Sequence, residues 1–147
     1  MEKYDSTGQV ICVRIYDIIK IEDNGVIRIP KDIAVDIGIV RGAYLLMEAD
    51  ERSKEISFER IAVPGKNLAE ITMLLEDKPG ALANVALELG NNNINILFNE
   101  SDEIASTNLA ALVAIVDVSQ ARISVKELKL HLQKMRVVKE VEIRQIE

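Results

Sequence analysis

Three features of these 147 residues predict an α+β chain. Residues 10–61 consist of short alternating runs broken by turn residues, residues 68–146 alternate strand and helix periodicity, and "AVPGKN" at 62–67 separates the two parts. Apolar residues at every second position mark a half-buried strand, and spacing of i, i+3, i+4 and i+7 marks an amphipathic helix. Pro64-Gly65 continues neither pattern and reads as a boundary. The expected organisation is a small β domain over 1–61, a linker over 62–67 and a βαββαβ domain over 68–147.

Hydrophobic residues make up 48% of the chain, enough at this length for one ordinary core or two small ones. No apolar stretch approaches the length of a membrane span, and "MEKYDSTGQ" has no basic start followed by an apolar block. The expectation is a soluble protein with the cytoplasm as its default compartment. The single cysteine, Cys12, excludes an internal disulfide, and within the alternating run "VICVRIYDI" it reads as a buried structural thiol. Net charge is −6, with 9 basic and 12 acidic side chains on each side of the Ala62 boundary. Phosphate neutralisation supplies most non-specific nucleic-acid affinity, so any DNA contact must come from a local cluster of cations.

In "IIKIEDNGVIRIP" the Asn24-Gly25 pair lies between two alternating runs, 18–22 and 26–30, and predicts a hairpin. Pro30 ends that pattern. "KDIAVDIG" predicts a short helix with Ile33 and Ile37 on one face and Gly38 as its terminator. After Arg41-Gly42, "AYLLMEA" and "EISFERI" flank the polar "DERSK" and predict a second hairpin. Thin strands of this length bury too little surface alone, and intertwining with a second copy is the natural remedy.

On these residues the first 60 positions resemble the swapped-hairpin DNA-binding family of AbrB, SpoVT and MazE. The likeness rests on Gly25, the segment Ile29-Pro30-Lys31-Asp32-Ile33, Gly38-Ile39 and Gly42. It implies a dimer in which two chains exchange hairpins and basic side chains contact DNA. The family often carries arginine directly after the hairpin glycine and basic residues early in the short helix, where this chain has Val26, Ala34 and Val35. The cations left for DNA are Arg14, Lys20, Arg28, Lys31 and Arg41, set among Asp17, Glu22, Asp23, Asp32 and Asp36. Each of them reads equally well as an ordinary solvated side chain.

The second part opens with a strand that places Ile71, Met73 and Leu75 on one face. Leu82, Val85, Ala86 and Leu89 follow at helical spacing, and Gly90 with the Asn91-Asn92-Asn93 run suits helix termination. "INILFNE" alternates as a strand, and "LAALVAIVDV" is apolar on both faces, as a fully covered central strand would be. Ser124 and Glu127 have capping-box spacing ahead of a helix carrying Val125, Leu128, Leu132 and Met135. Val141 and Ile143 complete a last, half-buried strand. The order βαββαβ is the ferredoxin-like split.

With Asp77-Lys78-Pro79-Gly80-Ala81-Leu82 in the first strand-to-helix turn and Asn93-Ile94-Asn95-Ile96 opening the second strand, this part resembles the ACT regulatory domain. The resemblance implies paired domains that bind an amino acid or related metabolite at their interface. It places the ligand on Asp77, Pro79, Gly80, Ala81 and Leu82, with Asn93, Ile94 and Asn95 opposite. The chemistry agrees, because an amino acid needs N–H donors for its carboxylate and oxygen acceptors for its ammonium. Read from the residues alone, Pro79-Gly80 is first a change of chain direction, which only the resemblance turns into a ligand turn, and Asn91 to Asn93 can be a helix stop.

The lone His131, beside Leu128 and Met135, has no partner at metal-ligand spacing, and "NESDE" at 99–103 reads as a solvated loop. No metal and no cofactor is expected. Neither a Cys/His nor a Ser/His arrangement nor a phosphate loop is present, so the chain reads as no enzyme. The leading expectation is a ligand-responsive transcriptional regulator with a small-molecule effector and DNA as partners. The alternative is a regulatory module that controls a metabolic enzyme in trans. Two dimerising units on one chain predict a homodimer or homotetramer.

Overall fold

The computed structural model describes residues 3, 4, 6–11 and 16–147. Its elements are β1 (Lys3–Tyr4), β2 (Val10–Ile11), α1 (Lys31–Ile37), β3 (Tyr44–Asp50), β4 (Glu55–Ala62), β5 (Leu68–Glu76), α2 (Ala81–Asn91), β6 (Asn95–Glu103), β7 (Leu109–Asp117), α3 (Val125–Gln133) and β8 (Val138–Ile146). The chain is α+β, and the strand pairs among the described residues are all antiparallel. It divides into two compact units, 1–37 and 38–147. Cys12 and Arg14 lie outside the described residues.

In the first unit β1 pairs with β2, and α1 forms over the residues predicted for it. The hairpin expected at Asn24-Gly25 is reduced to its turn. Val26 N–H donates to the Asp23 carbonyl at 3.1 Å, and a single bridge joins these two residues. Only Gly25 of the central pair has positive φ, at 74°. That is the pattern of a type II turn, whose twist splays the flanking strands, whereas the hairpin turns of type I′ need both central residues left-handed. Segments 18–22 and 26–30 accordingly form no ladder with each other. Most of their apolar side chains are open, Ile18 at 94% and Val26 at 57%, and α1 buries none of its residues.

In the second unit β3 and β4 form the predicted second hairpin. It belongs with the C-terminal elements because its base, Tyr44, Ile61 and Ala62, packs with Leu68, Leu97, Phe98, Ile115 and Ile146. The segment between β4 and β5 is tied down as well: Asn67 N–H donates to Ser119 Oγ at 2.8 Å, and Lys66 pairs with Asp117 at 3.5 Å. The remaining elements run β5-α2-β6-β7-α3-β8 around a sheet of order β6-β7-β5-β8.

One face of that sheet and the two helices enclose the main core. Ile71, Met73 and Leu75 of β5 meet Leu112, Ala114 and Val116 of β7, Val85 and Leu89 of α2, and Leu128 and Leu132 of α3. On α2 the buried stripe is Ala81, Val85 and Leu89, while Leu82 stands 43% exposed. The capping box of α3 forms as predicted, with Glu127 N–H donating to Ser124 Oγ at 3.1 Å and Ser124 N–H to Glu127 Oε2 at 2.9 Å.

Two readings of this part are corrected. "NESDE" is strand, not loop, because β6 stays paired with β7 as far as Glu103. β7 is fully covered on one face only; on the other, Ile115 is buried against the β3–β4 base while Leu109, Ala111 and Val113 are half-buried.

Candidate functional site

The end of β5 is fixed on both sides before the chain turns into α2. Glu76 N–H donates to the Val137 carbonyl and Asp77 N–H to the Asn108 carbonyl, each at 2.8 Å. Gly80 then occupies the N-cap of α2 at φ 86° and ψ −9°, a left-handed conformation open to glycine at little cost. A Cβ at Gly80 would meet nothing within 4 Å, so the glycine serves the backbone and leaves clear space above the turn.

No side chain caps this helix. Ala81 N–H donates to the Lys78 carbonyl at 3.2 Å and Asn84 N–H to the Gly80 carbonyl at 2.9 Å, while the N–H groups of Gly80, Leu82 and Ala83 have no partner among the described residues. Free N–H groups at a helix N-terminus carry partial positive charge and suit a carboxylate or phosphate.

Beside these donors lies a cavity of about 120 Å³. Its floor is apolar, made by Leu75, Ala110, Leu112 and the methyl of Ala81, with Leu82 and Ser101 as walls and Glu76, Asp77 and Lys78 at the mouth. Glu76 is held between two lysines, Lys78 at 2.7 Å and Lys139 at 2.8 Å. The Lys139 hydrogen bond, followed by that of Lys78, lowers its pKa to about 2, so its charge is neutralised locally. Asp77 is exposed and forms no ion pair among the described residues. The mouth therefore offers N–H donors for an anion and one free carboxylate for a cation.

Asn93, Ile94 and Asn95 sit elsewhere. They follow the C-terminus of α2, whose 11 residues span about 16 Å. Within one chain, the turn and the start of β6 do not meet. Their local geometry is that of a helix stop: Asn93 takes φ 59°, its N–H donates to Gly90 at 3.0 Å, and Ile94 N–H donates to Leu89 at 3.0 Å. This is a Schellman motif, closed by contact between the buried side chains of Leu89 and Ile94. Asn93, not Gly90, is its left-handed residue. Asn93 Nδ2 also donates to the Gln120 carbonyl at 3.0 Å, and Arg122 N–H to the Asn92 carbonyl at 2.9 Å. The Ile94 side chain is core and unavailable to a ligand, whereas Asn95 is exposed at the edge of the sheet.

Of the cations expected at DNA, Lys20 and Arg28 border one shallow depression together with Glu22 and Asp23. Lys31 opens α1 and is exposed; Arg41 is exposed in the other unit. None of these four forms an ion pair among the described residues. His131 lies against Glu88, Nδ1 to Oε1 at 3.2 Å, a bond between helices.

Sequence reasoning left out Lys78, the neighbour of Asp77 in the turn, and passed over Lys139, Ser101 and Ala110. Ala110 reaches the floor through strand pairing, Lys139 reaches Glu76 from the irregularity of β8 between its pairings with Leu74 and Leu75, and Ser101 was hidden in a segment taken for loop. For Ser101 and Ala110 the only signal is the register, Ser101 opposite Leu112 and Leu75 opposite Ala110. Among the described residues no helix is long and apolar enough to cross a membrane. No protein-family model matches the chain, and no curated protein matches it.

Proposed function

We propose that the chain is a ligand-responsive transcriptional regulator, in which the C-terminal unit senses an amino acid or related metabolite and the N-terminal residues pair with a second copy to contact DNA. The observation that carries the sensing role is the β5–α2 turn: unpartnered N–H groups at Gly80, Leu82 and Ala83, the free Asp77 carboxylate, and a cavity of about 120 Å³ between them. The carboxylate of the ligand faces the N–H groups, the ammonium faces Asp77, and the side chain enters the cavity. The resemblance of 68–147 to ACT domains supports the same placement. Since Asn95 lies about 16 Å away along α2, a free amino acid reaches both only if a second copy supplies the Asn93 to Asn95 segment.

The N-terminal role is supported by exposure. Ile18, Ile21, Val26, Val35 and Ile37 are each more than half exposed, an apolar set that one chain does not cover. Exchange of segments 18–30 between two copies, as in the swapped-hairpin family, would bury it and give the isolated Asp23–Val26 turn its ladder. A second reading, regulation of an enzyme in trans without DNA, is favoured by the carboxylates of Glu22 and Asp23 beside Lys20 and Arg28.

The test is isothermal titration of the full chain with individual amino acids. At least one should bind, and Gly80→Trp, which fills the open space over the turn, should abolish that binding. Unaltered affinity in the variant would remove the site from Gly80, and no binding by any amino acid would remove amino-acid sensing.

A further inference from the structure

β7 is apolar on both faces, yet only its helix side is closed over. On the opposite side the pairing register sets out two rows across the four strands. One runs Glu100, Val113, Thr72, Glu142 and the next Asp102, Ala111, Leu74, Glu140. Each row has carboxylates at both sheet edges and apolar or neutral side chains between them. Leu74, Ala111 and Val113 are half-buried, Thr72 is exposed, and all four carboxylates are exposed. The row before them, through Phe98 and Ile115, is already covered by the β3–β4 base.

Geometry and charge narrow what fits there. Strands lie about 4.8 Å apart, so the two acidic rims are separated by roughly 14 Å. An α-helix with its side chains measures about 10–12 Å across and fits between them along the strands. Glu100, Asp102 and Glu140 form no ion pair among the described residues, and Glu142 pairs only with Lys129, at 3.1 Å. Glu48 adds a further carboxylate across the cleft from Glu100. A second copy placed face to face would set acidic rim against acidic rim, which like-charge repulsion disfavours. A helix with an apolar stripe flanked on both sides by Lys or Arg complements both the stripe and the rims.

We infer that the uncovered half of this sheet face docks a cationic amphipathic helix of another protein, its apolar stripe on Leu74, Ala111 and Val113 and its basic side chains on the rims formed by Glu100 and Asp102 on β6 and by Glu140 and Glu142 on β8. This surface is distinct from the β5–α2 turn and does not depend on the ligand reading.

The probe is a fluorescein-labelled helical peptide about 18 residues long, with a leucine stripe flanked by lysines, and a twin carrying glutamate at every lysine position. Anisotropy titrations with the full chain should show the lysine peptide binding at least about tenfold tighter than its twin, with affinity falling as salt rises. Asp102→Lys/Glu140→Lys, exposed changes that break no ion pair, should weaken binding by about tenfold or more. Glu51→Lys/Glu55→Lys, at the tip of the β3–β4 hairpin, shifts net charge equally and should leave it unchanged. Equal binding of the twins, equal loss in both double variants, or no binding at low salt would overturn the inference. Sedimentation velocity supplies the remaining control: dissociation of an oligomer by the rim variant alone would make a second copy the occupant and overturn it too.

Discussion

Replacing Gly80 by alanine separates backbone conformation from crowding at the proposed ligand turn. Gly80 holds φ 86°, and a Cβ there meets nothing within 4 Å. The cost is therefore that of forcing an L-residue into the left-handed region, about 1–2 kcal/mol. Restricting the unfolded chain offsets roughly 0.4–1 kcal/mol of this. Gly80→Ala should lose about 1 kcal/mol, which is about 4 °C in Tm for a unit of this size. Gly80→Asn should recover much of that loss, because asparagine tolerates the left-handed region. Thermal unfolding followed by circular dichroism reads both variants. A loss above about 3 kcal/mol in Gly80→Ala would mean that the methyl collides with something, and the argument from open space would fail. The asparagine variant then serves as the binding probe: its fold is kept while its side chain enters the space assigned to ligand, so affinity for the amino acid should fall at least about tenfold, or 1.4 kcal/mol.

At the other end of α2, Asn93→Gly keeps the left-handed turn and loses only the bond to Gln120, at a cost of about 1 kcal/mol, whereas Asn93→Ala adds backbone strain for a total of about 2 kcal/mol. Chemical denaturation checks that order. Ser124→Ala removes the side-chain acceptor of the α3 capping box and should cost about 1 kcal/mol by the same assay, with Ser124→Asp restoring most of it. Glu76 predicts an acid limb: its folded pKa of about 2 lies below its ordinary 4.5, so its contribution to stability is complete above pH 4.5 and is lost as pH falls toward 2. Thermal midpoints of the parent chain and Glu76→Gln, measured across that window, should differ most at its upper end and converge at its lower end.

Where the sequence was legible, local chemistry and burial agreed. Ile71, Met73 and Leu75 alternate because one strand face is core, and Ser124 with Glu127 caps a helix through contacts three residues apart. Asn24-Gly25 misled because the turn type depends on whether Asn24 is left-handed, and residue type does not decide that. Leu82 fits the helical repeat, but Ala81 is the residue turned to the core, which leaves Leu82 at the cavity. "NESDE" has the composition of a loop, and only its ladder with β7 makes it a strand. The candidate site was half visible. Asp77 to Leu82 lie together in sequence, whereas Ser101 and Ala110 join them through strand register and Lys139 through its ion pair with Glu76. For Asn93, the helix-stop reading of the residues describes the local geometry fully.

The proposed function is regulation of DNA binding by a small ligand. Its most direct test is fluorescence anisotropy of the full chain titrated onto duplex DNA from its own upstream region and onto a scrambled duplex, with and without a mixture of amino acids. Preference for the native duplex is expected, weakening as salt displaces the contacts of Lys20, Arg28, Lys31 and Arg41, with a shift of the midpoint when the amino acids are present. Absence of binding at low salt, whether or not amino acids are added, would contradict it and leave regulation through a protein partner as the function of the chain.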